Sequence, residues 1–204
     1  MLTKQERVWR HLLASGEQGR WRWPGLAALG SELGIATSTI HRALAYPTEI
    51  GAVTVEPSGG FTVSDAGRLL LYWAAHRNLR KDITRKFRTA LPVLEVTRII
   101  SEAAGSESAS RPAPPVLGGF SALVTAMGKN TIADYTTVMV YGEPEGIPED
   151  RAGDTEVIVL QPDPLLGNYG RFTTLAQSWA DLFNLPGWQS SRFIHQTMCE
   201  VIHE

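Results

Sequence analysis

Thr37-Ser38-Thr39 sets three hydroxyls in a row, and His41 and Arg42 follow within about one helical turn. Hydroxyls and a guanidinium are donors that phosphate oxygens and base edges accept. To act together they must project from one rigid element whose other face is held by apolar packing. Ile40, Ala43 and Leu44 supply that face, so a helix is predicted with Thr37, Ser38, Thr39, His41 and Arg42 turned outward. Thr37 or Ser38 is expected to cap it. Further donors stand on either side in the sequence. Arg20 and Arg22 alternate with Trp21 and Trp23, as in a short strand with aromatic and basic faces. The turn Pro57-Ser58-Gly59-Gly60 presents Ser58 and the Gly59 backbone. For Arg20 and Arg22 two readings stand: contact with phosphate, or a solvated face over a tryptophan-covered core.

The elements that must position these groups are legible around them. Leu26, Leu29 and Leu33 mark the buried face of a preceding helix, and Pro24 suits its first turn. Gly34 falls where the chain must turn through positive φ. Thr3-Lys4-Gln5-Glu6 has the pattern of a capping box, and Val8, Trp9, Leu12 and Leu13 give the helix behind it an inward face. Residues 52–56 and 61–64 are β-prone runs joined by the glycine turn, which reads as a hairpin. Ser64-Asp65 can cap a further helix through the apolar residues 69–74, which could pack on the hairpin or on a second copy of the chain; a homodimer is thus left open.

Helix, helix, turn, helix, hairpin is the winged-helix order. The segments TSTIHRAL and GAVTVEPSGGFTVSDAGRLLL resemble those of bacterial winged-helix regulators, and the likeness spans about residues 3–78. It implies double-stranded DNA as partner, with the helix from Thr37 in the major groove and the hairpin near Ser58 and Gly59 against the backbone.

Composition bounds the rest. At 204 residues, 43% hydrophobic and 20% charged, the chain is too apolar for disorder and long enough for two domains. No apolar run approaches the roughly 18 to 20 residues of a membrane helix, and the N-terminus lacks a signal-like apolar segment, so a cytoplasmic protein with no membrane partner is expected. Cys199 is the single cysteine, which excludes an internal disulfide and a cysteine zinc site. Residues 1–91 hold 13 Lys and Arg against 7 Asp and Glu, whereas residues 92–204 hold 6 against 14. The expected division follows that contrast: a DNA-binding domain over 1–91 ending in a basic helix, and an acidic domain over 92–204. The basic run His76, Arg77, Arg80, Lys81, Arg85, Lys86 and Arg88 reads as a solvated helix face or a phosphate-tracking surface.

The second half reads as mixed α+β, making the whole chain α+β. Residues 93–104 tilt to helix, 105–115 (GSESASRPAPP) to a linker or surface loop, 137–141 and 155–160 to strands, and 173–184 and 188–202 to helices. From the first of these strands into the second runs an acidic set, Glu143, Glu145, Glu149, Asp150, Asp154 and Glu156, either a solvated loop or a surface that binds protein or turns the domain away from DNA. Trp179, Phe183, Leu185, Trp188 and Phe193 are expected mostly in the core.

Catalytic patterns are weak. Gly118-Gly119 opens a helix without the phosphate-loop lysine. Leu117-Gly118-Gly119-Phe120-Ser121 compares with the glycine motif of nucleotidyltransferases, and Asp154-Thr155-Glu156 has the paired-carboxylate form, yet Asp154 lies 35 positions beyond Gly119. That is much too far for the family's spacing, so at most the domain is a degenerate relative. His195, Cys199 and His203 could share a helix face but read as an exposed helix end. No catalytic residue, cofactor or metal is assigned.

The series GGFSALVTAM, VMVYG, an acidic loop, DTEVIVL, QPDPLL and TTLAQSWADLFNLPGWQSSRFIHQTM resembles the C-terminal domain of AbiEi-type antitoxins, with Leu175, Asp181, Leu182 and Pro186 on its late-helix pattern. The resemblance implies a repressor of its own operon whose acidic C-terminal domain meets a cognate toxin or other protein. The scarcity of basic residues there departs from an antitoxin with a positive face. A ligand-sensing regulator also remains, since a small-molecule pocket leaves no fixed motif.

Overall fold

The computed structural model describes residues 1–105, 114–128 and 134–202, and its fold is mixed α+β. Two compact units divide the chain: residues 2–77, joined by the end of the last helix from Thr197, and residues 78–196 with Met1. The break therefore falls at Arg77/Asn78 and not at 91/92. The cause is residues 83–89, expected within a basic helix, which form a strand of the second unit. Ile83, Thr84, Phe87 and Thr89 favour an extended chain, with Phe87 and Thr89 inward.

In the first unit α1 (Lys4–Gly16) begins at the expected capping box. The Glu6 amide donates to Thr3 Oγ1 at 3.2 Å and the Thr3 amide to Glu6 Oε2 at 2.9 Å. Such a cap is worth about 0.5–2 kcal/mol. Then come β1 (Arg22–Trp23), α2 (Leu26–Leu33), α3 (Thr37–Glu49), β2 (Val53–Val55), β3 (Phe61–Val63) and α4 (Ala66–His76). Pro24 lies just ahead of α2, whose N-cap is Gly25, and so stands outside the first turn where it was expected. The hairpin β2–β3 pairs Val53 with Val63 and Val55 with Phe61, and β1 lines the other side of β3 in the order β1-β3-β2. Trp23 and Phe61 stack at 5.4 Å, both buried. Asp65 caps α4 by accepting the Arg68 amide at 2.8 Å. Arg77, one of the expected basic-surface residues, is instead buried beside Glu6 at 3.6 Å.

The pattern from Thr37 to Leu44 does not reveal how far α3 runs. It continues through Pro47 to Glu49. Proline has no N–H for the carbonyl four residues back, which here is Ala43. The indole Nε1 of Trp9 donates to that oxygen at 2.7 Å, so α1 satisfies the acceptor that Pro47 leaves open.

The second unit contains β4 (Ile83–Thr89), α5 (Val93–Gly105), β5 (Val116–Gly118), α6 (Gly119–Met127), β6 (Thr137–Tyr141), β7 (Thr155–Leu160), α7 (Leu175–Phe183) and the start of α8 (Trp188–Ile202). Its sheet has the order β4-β7-β6-β5, with β6 and β7 parallel and the outer pairs antiparallel. The central strands carry the uninterrupted runs Val138-Met139-Val140-Tyr141 and Val157-Ile158-Val159-Leu160, all buried, as a pair covered on both faces requires. One face packs Val138, Val140, Val157 and Val159 with Phe87, Val96, Ile100 and Leu117. Buried Asp181 of α7 receives the Tyr141 hydroxyl at 2.5 Å. Most of the expected linker, residues 106–113, lies outside the described residues. Among the described residues no helix is long and apolar enough to cross a membrane.

Candidate nucleic-acid interface

The turn between α2 and α3 is built from two glycines with different tasks. Gly34 adopts φ +62 as the C-cap of α2, and a Cβ there would meet nothing within 4 Å, so the backbone conformation alone calls for glycine. Gly30 carries no such conformation. A Cβ on it would stand 2.7 Å from the Ile35 carbonyl oxygen, while the Ile35 amide donates back to the Gly30 carbonyl at 2.9 Å. Only the first of these was readable from the sequence pattern.

The expected cap of α3 is not made. Ala36 occupies the N-cap position without a side-chain bond, and Thr37 is already the first helical residue. The hydroxyls of Thr37 and Ser38 are therefore exposed at the positive end of the helix dipole, with His41 and Arg42 exposed one turn on. Thr39 is half-buried, at the margin of this face. Arg42 Nε donates to the Ser38 carbonyl at 3.3 Å, and its guanidinium forms no ion pair with any described residue. Ile40, Ala43 and Leu44 are buried and fix the opposite face.

Ser58 and Gly59 lie exposed at the hairpin tip, Gly59 at φ +88. The arginines of β1 differ from Arg42. Arg22 pairs with Glu56, whose carboxylate also accepts Ser58 Oγ at 3.3 Å and Thr62 Oγ1 at 3.1 Å. The bond from Arg22, helped by Thr62, holds the Glu56 carboxyl below its usual range. Arg20 donates to Glu32 at 2.6 Å and lies over the Trp23 ring. Glu32 also meets the Trp23 indole and the His11 ring at 3.3 Å each. Burial works to raise the Glu32 carboxyl, but Arg20 and His11 hold it below the usual range. Burial lowers the His11 pKa, outweighing the pull of Glu32.

No protein-family model, characterised protein or solved structure matches this chain. What its residues can do is read from geometry and charge.

The basic run 76–88 does not form one surface. Arg77 is buried, Arg85 reaches Glu143 and Glu149 at 3.3 Å each, Lys86 faces Glu156 at 3.9 Å, and Arg88 donates to the Gly153 carbonyl. The acidic loop is likewise bound to β4, since the Asp150 amide donates to the Arg88 carbonyl at 2.7 Å. Each set of charges answers the other on one edge of the sheet. Residues 2–77 alone hold eight Lys and Arg against six Asp and Glu, far nearer neutrality than the count to residue 91.

The glycine pair at the start of α6 is a packing device. A Cβ on Gly118 would meet the Tyr141 ring at 3.2 Å, and one on Gly119 the Met139 sulfur at 2.5 Å. Gly119, Phe120 and Ser121 are buried, so that helix start does not present an open phosphate cradle. Glu156 of the Asp154–Glu156 pair is engaged with Lys86. Among the described residues no three His, Cys, Asp or Glu side chains gather as a metal site; His203 of the 195/199/203 set lies outside them. The late aromatics divide: Trp179 and Phe193 are core, whereas Phe183 and Trp188 are exposed, contrary to the expectation that most would be covered.

Proposed function

We propose that residues 2–77 form a winged helix that binds duplex DNA through α3 and the β2–β3 hairpin, and that the protein is a transcription regulator, acting as a repressor. The observation carrying this reading is the outer face of α3. Thr37, Ser38, His41 and Arg42 are exposed together on a helix whose other face is anchored, and Arg42 has no carboxylate partner among the described residues. A guanidinium on such a helix suits bidentate contact with guanine in the major groove. Ser58 and Gly59 would meet the backbone; Arg20 and Arg22 would do so only after leaving Glu32 and Glu56.

Electrophoretic mobility shifts with genomic fragments test it. A retarded band is expected that weakens as salt rises. Arg42→Ala should reduce the preference for the bound fragment over random duplex by about 1–3 kcal/mol. If no fragment shifts at low salt, the reading fails; equal losses on both duplexes would assign Arg42 to phosphate alone.

A second activity is favoured by the exposed Phe183 and Trp188, the latter 62% exposed, in a unit whose charged loop is already engaged. Aromatic side chains left in solvent suit a protein partner. The likeness to AbiEi-type antitoxins would make that partner a cognate toxin encoded nearby, and a second copy of the chain is the competing occupant. Co-expression of the neighbouring gene product with the tagged chain, against Trp188→Ala and sedimentation of the chain alone, separates the two.

A further inference from the structure

A groove of about 350 Å³ runs between α3 and the β2–β3 hairpin. That volume is within the range of small-molecule sites, and the lining has their chemistry: a mainly apolar wall with a few polar groups. Leu26, Leu44, Val55 and Phe61 form the apolar part. Val55 is 57% exposed and borders the groove. His41 and Glu49 also line it, and Glu49 has no ion-pair partner among the described residues.

Apolar walls with one unpaired carboxylate select a particular occupant. An apolar body leaves water along Leu44, Val55 and Phe61, and a cationic head answers Glu49, whereas an organic anion would be opposed by it. We propose that this groove binds a small organic ammonium compound with an apolar body, and that its occupation excludes DNA. Exclusion follows from shared residues: His41 and Gly59 line the groove and belong to the candidate DNA-contacting face. The site stands on the groove alone, while its regulatory consequence rests on the proposed DNA binding. Glu49 would then be the group that sets the charge of the effector.

The test uses the full chain and two soluble probes of nearly equal shape, 4-phenylbutylammonium and 4-phenylbutanol, titrated by NMR or calorimetry in the absence of DNA. The ammonium is expected to bind saturably, about two- to fivefold tighter than the alcohol, because Glu49 is exposed and its attraction to a cation is screened. Glu49→Gln should erase that difference while leaving the alcohol unaffected. Val55→Trp should fill the groove and abolish both, with an unchanged unfolding temperature as the check on folding. Absence of saturable binding, equal affinity for the two probes, a preference that survives Glu49→Gln, or binding that survives Val55→Trp each overturns the site. In a second arm the ammonium should displace a bound DNA fragment from the native protein at concentrations where the more weakly bound alcohol does not, and Glu49→Gln should remove that difference. Ligand binding without displacement overturns the exclusion. Failure of the unliganded protein to bind DNA overturns the regulator reading and leaves the titrations to decide the groove.

Discussion

Replacing Glu56 by Gln should strengthen duplex binding and steepen its salt dependence. In the free protein this carboxylate holds Arg22 and receives the Ser58 and Thr62 hydroxyls. Under the proposed function the hairpin would offer DNA a neutralised arginine, with a negative group beside the tip proposed to meet the backbone. Arg22 is 70% exposed, so its pairing with Glu56 contributes little to folding and the substitution should leave the fold intact. Glutamine keeps an oxygen for Ser58 and Thr62, which preserves the turn, and frees Arg22 to neutralise one phosphate. One such contact changes the slope of log K against log salt by about 0.9. If its contribution vanishes near 1 M salt, that slope makes the variant bind about 15-fold tighter at about 50 mM and about fourfold tighter at about 200 mM. Fluorescence anisotropy with a labelled duplex over that salt range measures both numbers. Arg22→Ala should do little in the native protein and reverse the gain in the Glu56→Gln background. An unchanged slope, or a gain that persists without Arg22, would refute the assignment of Arg22 as a phosphate ligand held in reserve.

Three further outcomes are expected from the packing and the titrating groups. Trp9→Phe keeps most of the apolar contact but orphans the Ala43 carbonyl above Pro47, so urea denaturation should show a loss of about 1–3 kcal/mol; the double variant with Pro47→Ala should recover part of it. Gly119→Ala places a Cβ at φ +55 against buried Met139, and the left-handed backbone together with overpacking should cost about 2–5 kcal/mol. A loss below about 1 kcal/mol would mean the glycine is not held there by packing. Because burial lowers the His11 pKa, the unfolded chain takes up the proton first as pH falls below the ordinary histidine value of 6.5. Folding stability should hold above that pH and decline down to the lowered folded value, and His11→Gln should flatten the decline. Increasing stability over the same window would contradict the burial of His11 as the dominant cause.

Patterns confined to a few neighbouring residues were legible in the sequence. The Thr3–Glu6 box, the Asp65 cap, the positive φ at Gly34 and the runs 137–141 and 155–160 each depend on contacts within a turn or on uninterrupted apolar residues. The hairpin was legible because its glycine turn sits between two β-prone runs. What failed to show was decided by distant partners. Residues 83–89 look like a charged helix face until their pairing with 155–160 supplies the ladder, and the end of α3 was hidden because Pro47 is tolerated only where Trp9 takes over its missing bond. Exposure of Phe183 and Trp188 is similarly beyond local pattern, since an aromatic side chain reads as core wherever it stands in the sequence.

The candidate face on α3 followed from short spacing, but its electrostatic setting did not. Counting charge to residue 91 joins the near-neutral residues 2–77 to five basic residues at 80–88. Three of those five, Arg85, Lys86 and Arg88, reach acidic side chains or carbonyls in their own unit. In the first unit Arg20, Arg22, Arg68 and Arg77 also face carboxylates, whereas Arg42, like exposed Lys4, faces none among the described residues. A surface with so little unanswered positive charge gains little from counterion release, the term that dominates indiscriminate binding. Under the proposed function, recognition must then lean on the hydroxyls and guanidinium that approach base edges, with Arg22 answered by Glu56. Near-neutrality around an exposed α3 thus favours a protein that ignores most DNA over one that coats it.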